Sequence, residues 1–265
     1  MVPVVAISTT VYELPRDQVR YELAQQFLIN ATTKDHNVVL VDGSPDINLR
    51  KSLMRDDVFV HPQLQSGMPA SRREAFSHAD QYIAREFRSS FASREIICYW
   101  SEPEKDDVPN HISQLMAPIV NDEADIVIMG RTQESDATYP EFQRVSERIA
   151  DYIYQQATGI PAKPMAGPVV FRYTMMGFFM QCFPQAFGIA PNFGYIQHLA
   201  PVMAYAAGAR VIGIDVDFQY PRRQKAEEES TRNLEMIGKR LEGQLEPCIH
   251  SYYAIAKFYG LPRHQ

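Results

Sequence analysis

The sequence predicts an α/β fold: a mainly parallel central sheet with helices on both faces and a helical tail at the carboxyl end. Three observations carry that expectation. Short β-rich apolar runs alternate with amphipathic segments, the pattern of strands joined by right-handed helical crossovers. The 265 residues are ample for one sizeable core and hold no internal repeat or low-complexity linker, so a single domain is the simplest organisation. Turn chemistry closes a predicted strand at Asp42-Gly43-Ser44.

Taken in order, VPVVAIS (2–8) reads as the first strand. The helix over 15–31 follows, with Val19, Leu23 and Phe27 four apart on one face. NVVLVDGS (37–44) is the second strand with its turn, and a short helix near 47–56 leads to the strand VFVHP (58–62). A long helix spans 71–91, EIICYW (95–100) is the central buried strand, 111–120 is helical and ADIVIMG (124–130) is another strand. The helix over 145–159 carries Val145, Ile149 and Ile153 in register and stops at Gly159 and Pro161. GPVVFRYTMM (167–176) and ARVIGIDVDFQYP (209–221) read as strands on either side of a helix around 195–208. From Gln224 the tail is helical, with Leu234, Ile237, Leu241 and Leu245 on one stripe.

Composition narrows the function. At 45% hydrophobic and 22% charged the chain is ordinary globular protein. A net charge of −6 and the absence of long basic runs argue against nucleic acid as a partner. Cys98, Cys182 and Cys248 are odd in number and widely spaced, which suggests neither a disulfide framework nor a Cys-x-x-Cys metal site and fits a reducing, cytoplasmic compartment. The first residues lack the basic leader of a signal peptide. GPVVFRYTMMGFFMQCF is interrupted by Arg172 and falls short of the roughly 20 apolar residues of a membrane span. Its Met and Phe residues at 175–183 read as core or as a homo-oligomer contact. The Asn30-Ala31-Thr32 triplet matches a glycosylation sequon without secretory context.

Ligands of open α/β sheets sit outside the carboxyl ends of the strands, where loops converge and helix N-termini point the same way. The residues to read are therefore Ser8, Thr9 and Thr10, then Asp42, Gly43 and Ser44, then Glu102 and Glu104, then Gly130 and Arg131. Asp42 and the hydroxyls after the first strand suit a base or ribose, or simply make a turn. Glu102-Pro103-Glu104 is sharper: two carboxylates one residue apart at the end of a buried strand repel unless solvated or bridged, and a divalent cation is the usual bridge. Such a cation would neutralise a diphosphate leaving group. Lys105 beside the pair reads as a phosphate contact or as plain surface.

REIICYWSEPEKDD (94–107), ADIVIMGRTQESDATYPEFQRVSE (124–147), GPVVFRY (167–173) and DVDFQYPRRQ (215–224) follow one another in an order that resembles the nucleotide-diphospho-sugar glycosyltransferases of the GT-A fold. The resemblance spans roughly residues 1–224. It implies a Rossmann-like GT-A fold that transfers a hexose from a nucleoside diphosphate sugar to a small or polar acceptor. Residues 1–131 would be the nucleotide-sugar half, 132–224 the acceptor half and 225–265 a helical extension. Glu102-Pro103-Glu104 stands in place of that family's Asp-x-Asp, which binds Mg²⁺ or Mn²⁺. It implies Glu102 and Glu104 as metal ligands, Glu104 directly, with His198 completing the site or meeting a phosphate. Gly67, Ser71, Arg72 and Arg73 match the family's donor loop, where Arg suits bidentate phosphate contact. Tyr220 to Gln224 would fold back over the diphosphate.

One departure bears on mechanism. Between Glu147 and Asp215 the chain has Asp151 as its sole carboxylate, on a predicted helix face, so the acceptor half lacks the usual catalytic base. Either Glu134 or Asp136 supplies it, or the reaction retains configuration and needs none. The rival readings are a sugar-phosphate nucleotidyltransferase, disfavoured by the missing glycine after the first strand, and a non-catalytic nucleotide-sugar-binding protein.

Overall fold

The computed structural model describes residues 2–87, 92, 95–190, 193–230, 237–238 and 240–261. Seven strands form one mixed sheet: β1 (Val4–Thr10), β2 (His36–Asp42), β3 (Val58–Pro62), β4 (Ile97–Trp100), β5 (Ile126–Arg131), β6 (Val169–Arg172) and β7 (Val211–Val216). Their order is β3-β2-β1-β4-β6-β5-β7. All neighbours run parallel except β6, which is antiparallel to both β4 and β5. The reversal matters: the start of β6, with the segment before it, lies at the same rim as the carboxyl ends of the parallel strands.

The helices are α1 (Gln18–Thr33), α2 (Ile47–Leu53), α3 (Met68–Glu86), α4 (Val108–Val120), α5 (Gln133–Ala137), α6 (Glu141–Thr158), α7 (Met176–Met180), α8 (Ile196–Ala206), α9 (Arg222–Ser230) and α10 (Glu246–Phe258). Period-two alternation divides the strand side chains between two cores. Val5 and Ile7 of β1 and Cys98 and Trp100 of β4 enter a core with Phe76 and Ala79 of α3 and Tyr154 of α6. Val4, Ala6, Ile97 and Tyr99 enter the other, with Phe27 and Leu28 of α1 and Ile112 and Leu115 of α4. Trp100 is fully buried, with Phe76 5.6 Å from it between ring centroids.

Several elements differ from the sequence reading. The buried stripe of α1 is Ala24, Phe27, Leu28 and Ala31, one step round from Val19 and Leu23. On α6 the expected stripe is mostly turned outward, with Ile153 alone of its three residues packed against the core. Val145 and Ile149 are 50% and 44% exposed, while Gln143, Ser146, Glu147, Ala150, Asp151 and Tyr154 are buried. A single helix can bury polar side chains when the polar groups find partners across the interface, and α6 does so at the site described below. The strand read at 167–176 is confined to Val169–Arg172 and gives way to helical turns. In the Met/Phe run, Met176, Phe179 and Cys182 are core, whereas Phe183 is half exposed. Gly159 ends α6 at φ 75, as its position predicts. Arg88 to Phe91 of the expected long helix and Leu234 of the tail stripe lie outside the described residues, and Leu241 of that stripe is 42% exposed. Among the described residues no helix is long and apolar enough to cross a membrane.

Candidate active site

Four groups of polar side chains follow one another along the carboxyl rim of the sheet. The first joins β1 to β2. Parallel register sets Thr10 beside Asp42, and Thr10 Oγ1 donates to Asp42 Oδ1 at 2.8 Å. Ser44 Oγ donates to the same oxygen at 2.6 Å, and Arg50 of α2 donates through Nε to Oδ2 at 3.1 Å. Asp42 is fully buried. Its carboxylate is thus spent on shaping the rim rather than left facing a ligand. Ser8 is also turned inward, donating to the Ser101 carbonyl and tying β1 to the end of β4. Thr9 is half-buried between them.

The second group takes up Glu104. Arg20 of α1 reaches Glu104 Oε1 at 2.6 Å and the Tyr12 hydroxyl donates to the same oxygen at 3.2 Å. Asp17 pairs with the other nitrogen of Arg20 at 3.1 Å.

The third group is built on Glu102 and faces a different way. Lys105 Nζ lies 2.8 Å from Glu102 Oε2, and Arg72 of α3 lies 3.7 Å from Oε1. Arg72 is buried with its guanidinium carbon 5.0 Å from the Trp100 ring and 5.0 Å from the Tyr195 ring. Its Nη1 donates to Gln197 Oε1 at 2.6 Å. Burial of a guanidinium costs several kcal/mol, and a desolvated cation over an aromatic face returns about 2 kcal/mol. The lone Trp at the strand end is therefore one wall of a slot for Arg72. Burial pulls the Arg72 pKa below its usual value, opposed chiefly by Glu102. For Glu102, burial alone would raise the pKa, but Lys105 and then Arg72 hold it down at about 2. Gly167, at φ 100, completes the group: a Cβ there would come within 2.4 Å of Lys105 Nζ and 2.7 Å of Glu102 Oε2.

In this arrangement the two carboxylates are engaged by different side chains: Glu104 by Arg20 and the Tyr12 hydroxyl, Glu102 by Lys105 and Arg72. Among the described residues no three His, Cys, Asp or Glu side chains converge to hold a metal ion. His198 is buried on α8, its Nδ1 2.8 Å from the Tyr252 hydroxyl. Burial, reinforced by Arg72 and partly offset by Glu102, takes its pKa down to about 3, so it stands near the group as a neutral, hydrogen-bonded core residue. As disposed, Glu102, Glu104 and His198 do not fit a divalent cation.

Arg72 and Arg73, adjacent in sequence, part company. Arg73 turns away from Glu102, donating to the Cys182 carbonyl at 3.3 Å and lying 4.5 Å over the Phe183 ring. Gly67 precedes α3 at φ 93, a left-handed value that glycine adopts without strain. Glu74 closes the same loop by accepting from the Leu64 and Gln65 amides. Tyr220 packs 4.3 Å from Tyr139 and Arg223 pairs with Glu22 of α1 at 2.5 Å, so this segment braces the fold.

The fourth group surrounds a cavity of about 210 Å³ beyond β5, lined by Arg131, Asp136, Arg148, Asp151, Lys163 and Ala166 among others. Arg131 pairs with Glu147 at 2.6 Å and with Asp136 at 3.6 Å, and its guanidinium carbon lies 4.0 Å over the Tyr139 ring. Asp136 is also held by Arg148. Glu134, its neighbour on α5, is exposed and does not line the cavity. Asp151 accepts from the Met165 amide at 2.9 Å, yet burial pushes its pKa up to about 8. Sequence reasoning missed Arg20, Tyr12, Arg148, Lys163 and Gln197, and set Asp151 on a helix face without a role. A usable signal existed for one: Asp151 shares a helical face with Glu147, Ala150 and Tyr154.

No family model matches the chain, and no curated protein matches it. Solved structures do, through shape rather than sequence. A mycobacterial protein of known crystal structure is similar at a TM-score of 0.56 and 10% identity, over 98% of this chain and 75% of that one. S. aureus TarS is similar at 0.45 and 13% identity over 97% of this chain, which spans 42% of the length of TarS. CMP:2-keto-3-deoxy-manno-octonic acid synthetase complexed with CTP is similar at 0.43 and 9% identity, over 81% of this chain and 90% of that one. With the strand order above, the first likeness supports the fold alone: a Rossmann-like α/β architecture with a mainly parallel seven-stranded sheet.

Proposed function

We propose that the protein is a nucleotide-sugar-dependent glycosyltransferase whose diphosphate grip is made of protein cations. The observation that carries this is Arg72, buried between Trp100 and Tyr195 and paired with Glu102 beside Lys105 at the end of β4. Glu102 keeps both cations placed while no anion is bound. A diphosphate arriving at the rim takes the place of Glu102 against Lys105 and Arg72 Nη2, while Gln197 keeps Nη1. The β1–β2 rim, shaped by Asp42 and closed beyond β3 by the Gly67 loop, is the place for the nucleoside, with Thr9 and Gly43 at its edge.

In the reaction the bond between the anomeric carbon and the β-phosphate oxygen breaks, and its electron pair leaves with the phosphate. The acceptor oxygen bonds to that carbon and its proton passes to a base. Preplaced cations favour the step because charge grows on the leaving oxygen as the bond breaks. Asp136 is the carboxylate available from the cavity side. Both its oxygens already meet arginines, so accepting the proton requires it to release one of them. Glu134 lies outside the cavity and is the weaker candidate.

The test is a thermal-shift panel of UDP, GDP, ADP and their sugars, with Mn²⁺ and with EDTA, followed by product analysis. One nucleotide sugar should stabilise the protein, in EDTA as well, and release its nucleoside diphosphate in the presence of acceptor. Pyrophosphate release from a nucleoside triphosphate would instead make it a nucleotidyltransferase, and stabilisation without turnover a binding protein.

A further inference from the structure

We infer that the cavity beyond β5 takes an acceptor that carries a carboxylate or phosphate, with Arg131, Arg148 and Lys163 reading the anion. This rests on the transferase reading and adds the chemical class of its second substrate.

Arg131 supplies the main observation. Its side chain is more than nine-tenths buried, and Nη1 has no hydrogen-bond partner among the described residues, although the residue lines the cavity. An orphaned nitrogen on a buried guanidinium is costly to leave unmade. An oxyanion in the cavity satisfies it, with Nη2 kept by Glu147.

Charge leaves room for it. Each lining cation has a carboxylate partner, Arg131 with Glu147, Arg148 with Asp136 and Lys163 with Asp215, and the remaining carboxyl, Asp151, is pushed towards its neutral form by burial. Glu147 and Asp215 pair with Arg131 and Lys163 from beyond the lining. The Arg148 and Lys163 side chains are 62% and 45% exposed, so both can turn to a ligand at little cost. Protonated Asp151 adds a donor to the same space.

Size and place complete the argument. At about 210 Å³ the cavity is below the roughly 300–1,000 Å³ of sites for drug-sized ligands, which suits a small metabolite. Ala166 lines it, and the next residue, Gly167, is in van der Waals range of Lys105 and Glu102. The acceptor is thereby one residue away from the group assigned to the diphosphate.

The experiment titrates glycerol 3-phosphate, lactate and glycerol into the full chain by calorimetry, without donor. Nucleoside diphosphate is titrated separately, so failure here is distinct from failure of the transferase reading. At least one anion should bind and glycerol should not; lactate alone identifies a carboxylate acceptor and glycerol 3-phosphate alone a phosphorylated one. The pair Arg148→Gln and Lys163→Gln, both on exposed side chains, should weaken the anion roughly tenfold or more and leave nucleoside diphosphate affinity unchanged. Equal binding of glycerol, no binding of either anion, or loss of nucleotide rather than anion affinity in the variants would each overturn the assignment.

Discussion

The rim at β1 and β2 and the rim at β5 are built from the same residue types but treat them in opposite ways. At the first, Asp42 receives Thr10, Ser44 and Arg50, so a fully buried carboxylate is closed within the protein. At the second, Arg131 Nη1 has no hydrogen-bond partner among the described residues and Asp151 is pushed towards neutrality by burial. Between them, Glu102 is flanked by Lys105 at 2.8 Å and Arg72 at 3.7 Å. The lesson is that a polar residue at a strand end can serve shape or ligand. What separates the two roles is whether its hydrogen bonds are already complete.

The comparison can be broken most forcefully at Arg72. Arg72→Met leaves Glu102 with Lys105 alone and is expected to cost about 3 kcal/mol of stability and most nucleoside diphosphate affinity. Arg72→Lys should recover part of the stability, seen in denaturant unfolding, but not the affinity, because an ammonium cannot use the flat slot between Trp100 and Tyr195. A variant that binds nucleotide normally would remove the grip from this site.

Asp42→Asn probes the closed rim. Loss of the charge opposite Arg50 should cost about 2 kcal/mol in unfolding experiments, while the folded fraction binds nucleotide with little change. The reverse pattern, normal stability with lost binding, would show that Asp42 faces the ligand after all.

A smaller effect is expected from pH at the open rim. Asp151 is faced by Glu147 on its own helix, by Arg131 of β5, by Lys163 and by Cys248 and Tyr252 of α10. Its folded pKa of about 8 lies above the unfolded value, so the folded state holds a proton that the unfolded chain loses. Stability therefore declines as pH rises from about 4 towards 8, and above pH 8 the new negative charge should weaken anion binding in the cavity. Asp151→Asn should flatten both profiles; unchanged profiles would place the proton elsewhere.

Much of the frame was legible in the sequence, because apolar runs with turn residues report buried strands whatever their neighbours do. The parallel strands, Gly159 and the acidic end of β4 were all visible. What was hidden depends on contacts between distant segments. The reversal of β6 follows from its partners β4 and β5, and its run of residues carries no sign of direction. The buried face of α6 was misjudged because Val145 and Ile149 imitate a core stripe while Glu147 and Asp151 pair across the interface. The acidic pair was seen, but its solution was not: Arg20, Arg72 and Lys105 neutralise it from three different segments.

The most direct measurement is calorimetric titration of the preferred nucleoside diphosphate in EDTA, for the natural chain and for Lys105→Met. Protein cations at the end of β4 predict binding that persists without divalent metal and weakens roughly tenfold in the variant. Binding that appears on addition of Mn²⁺ alone, with Lys105→Met indistinguishable from the natural chain, would contradict the account.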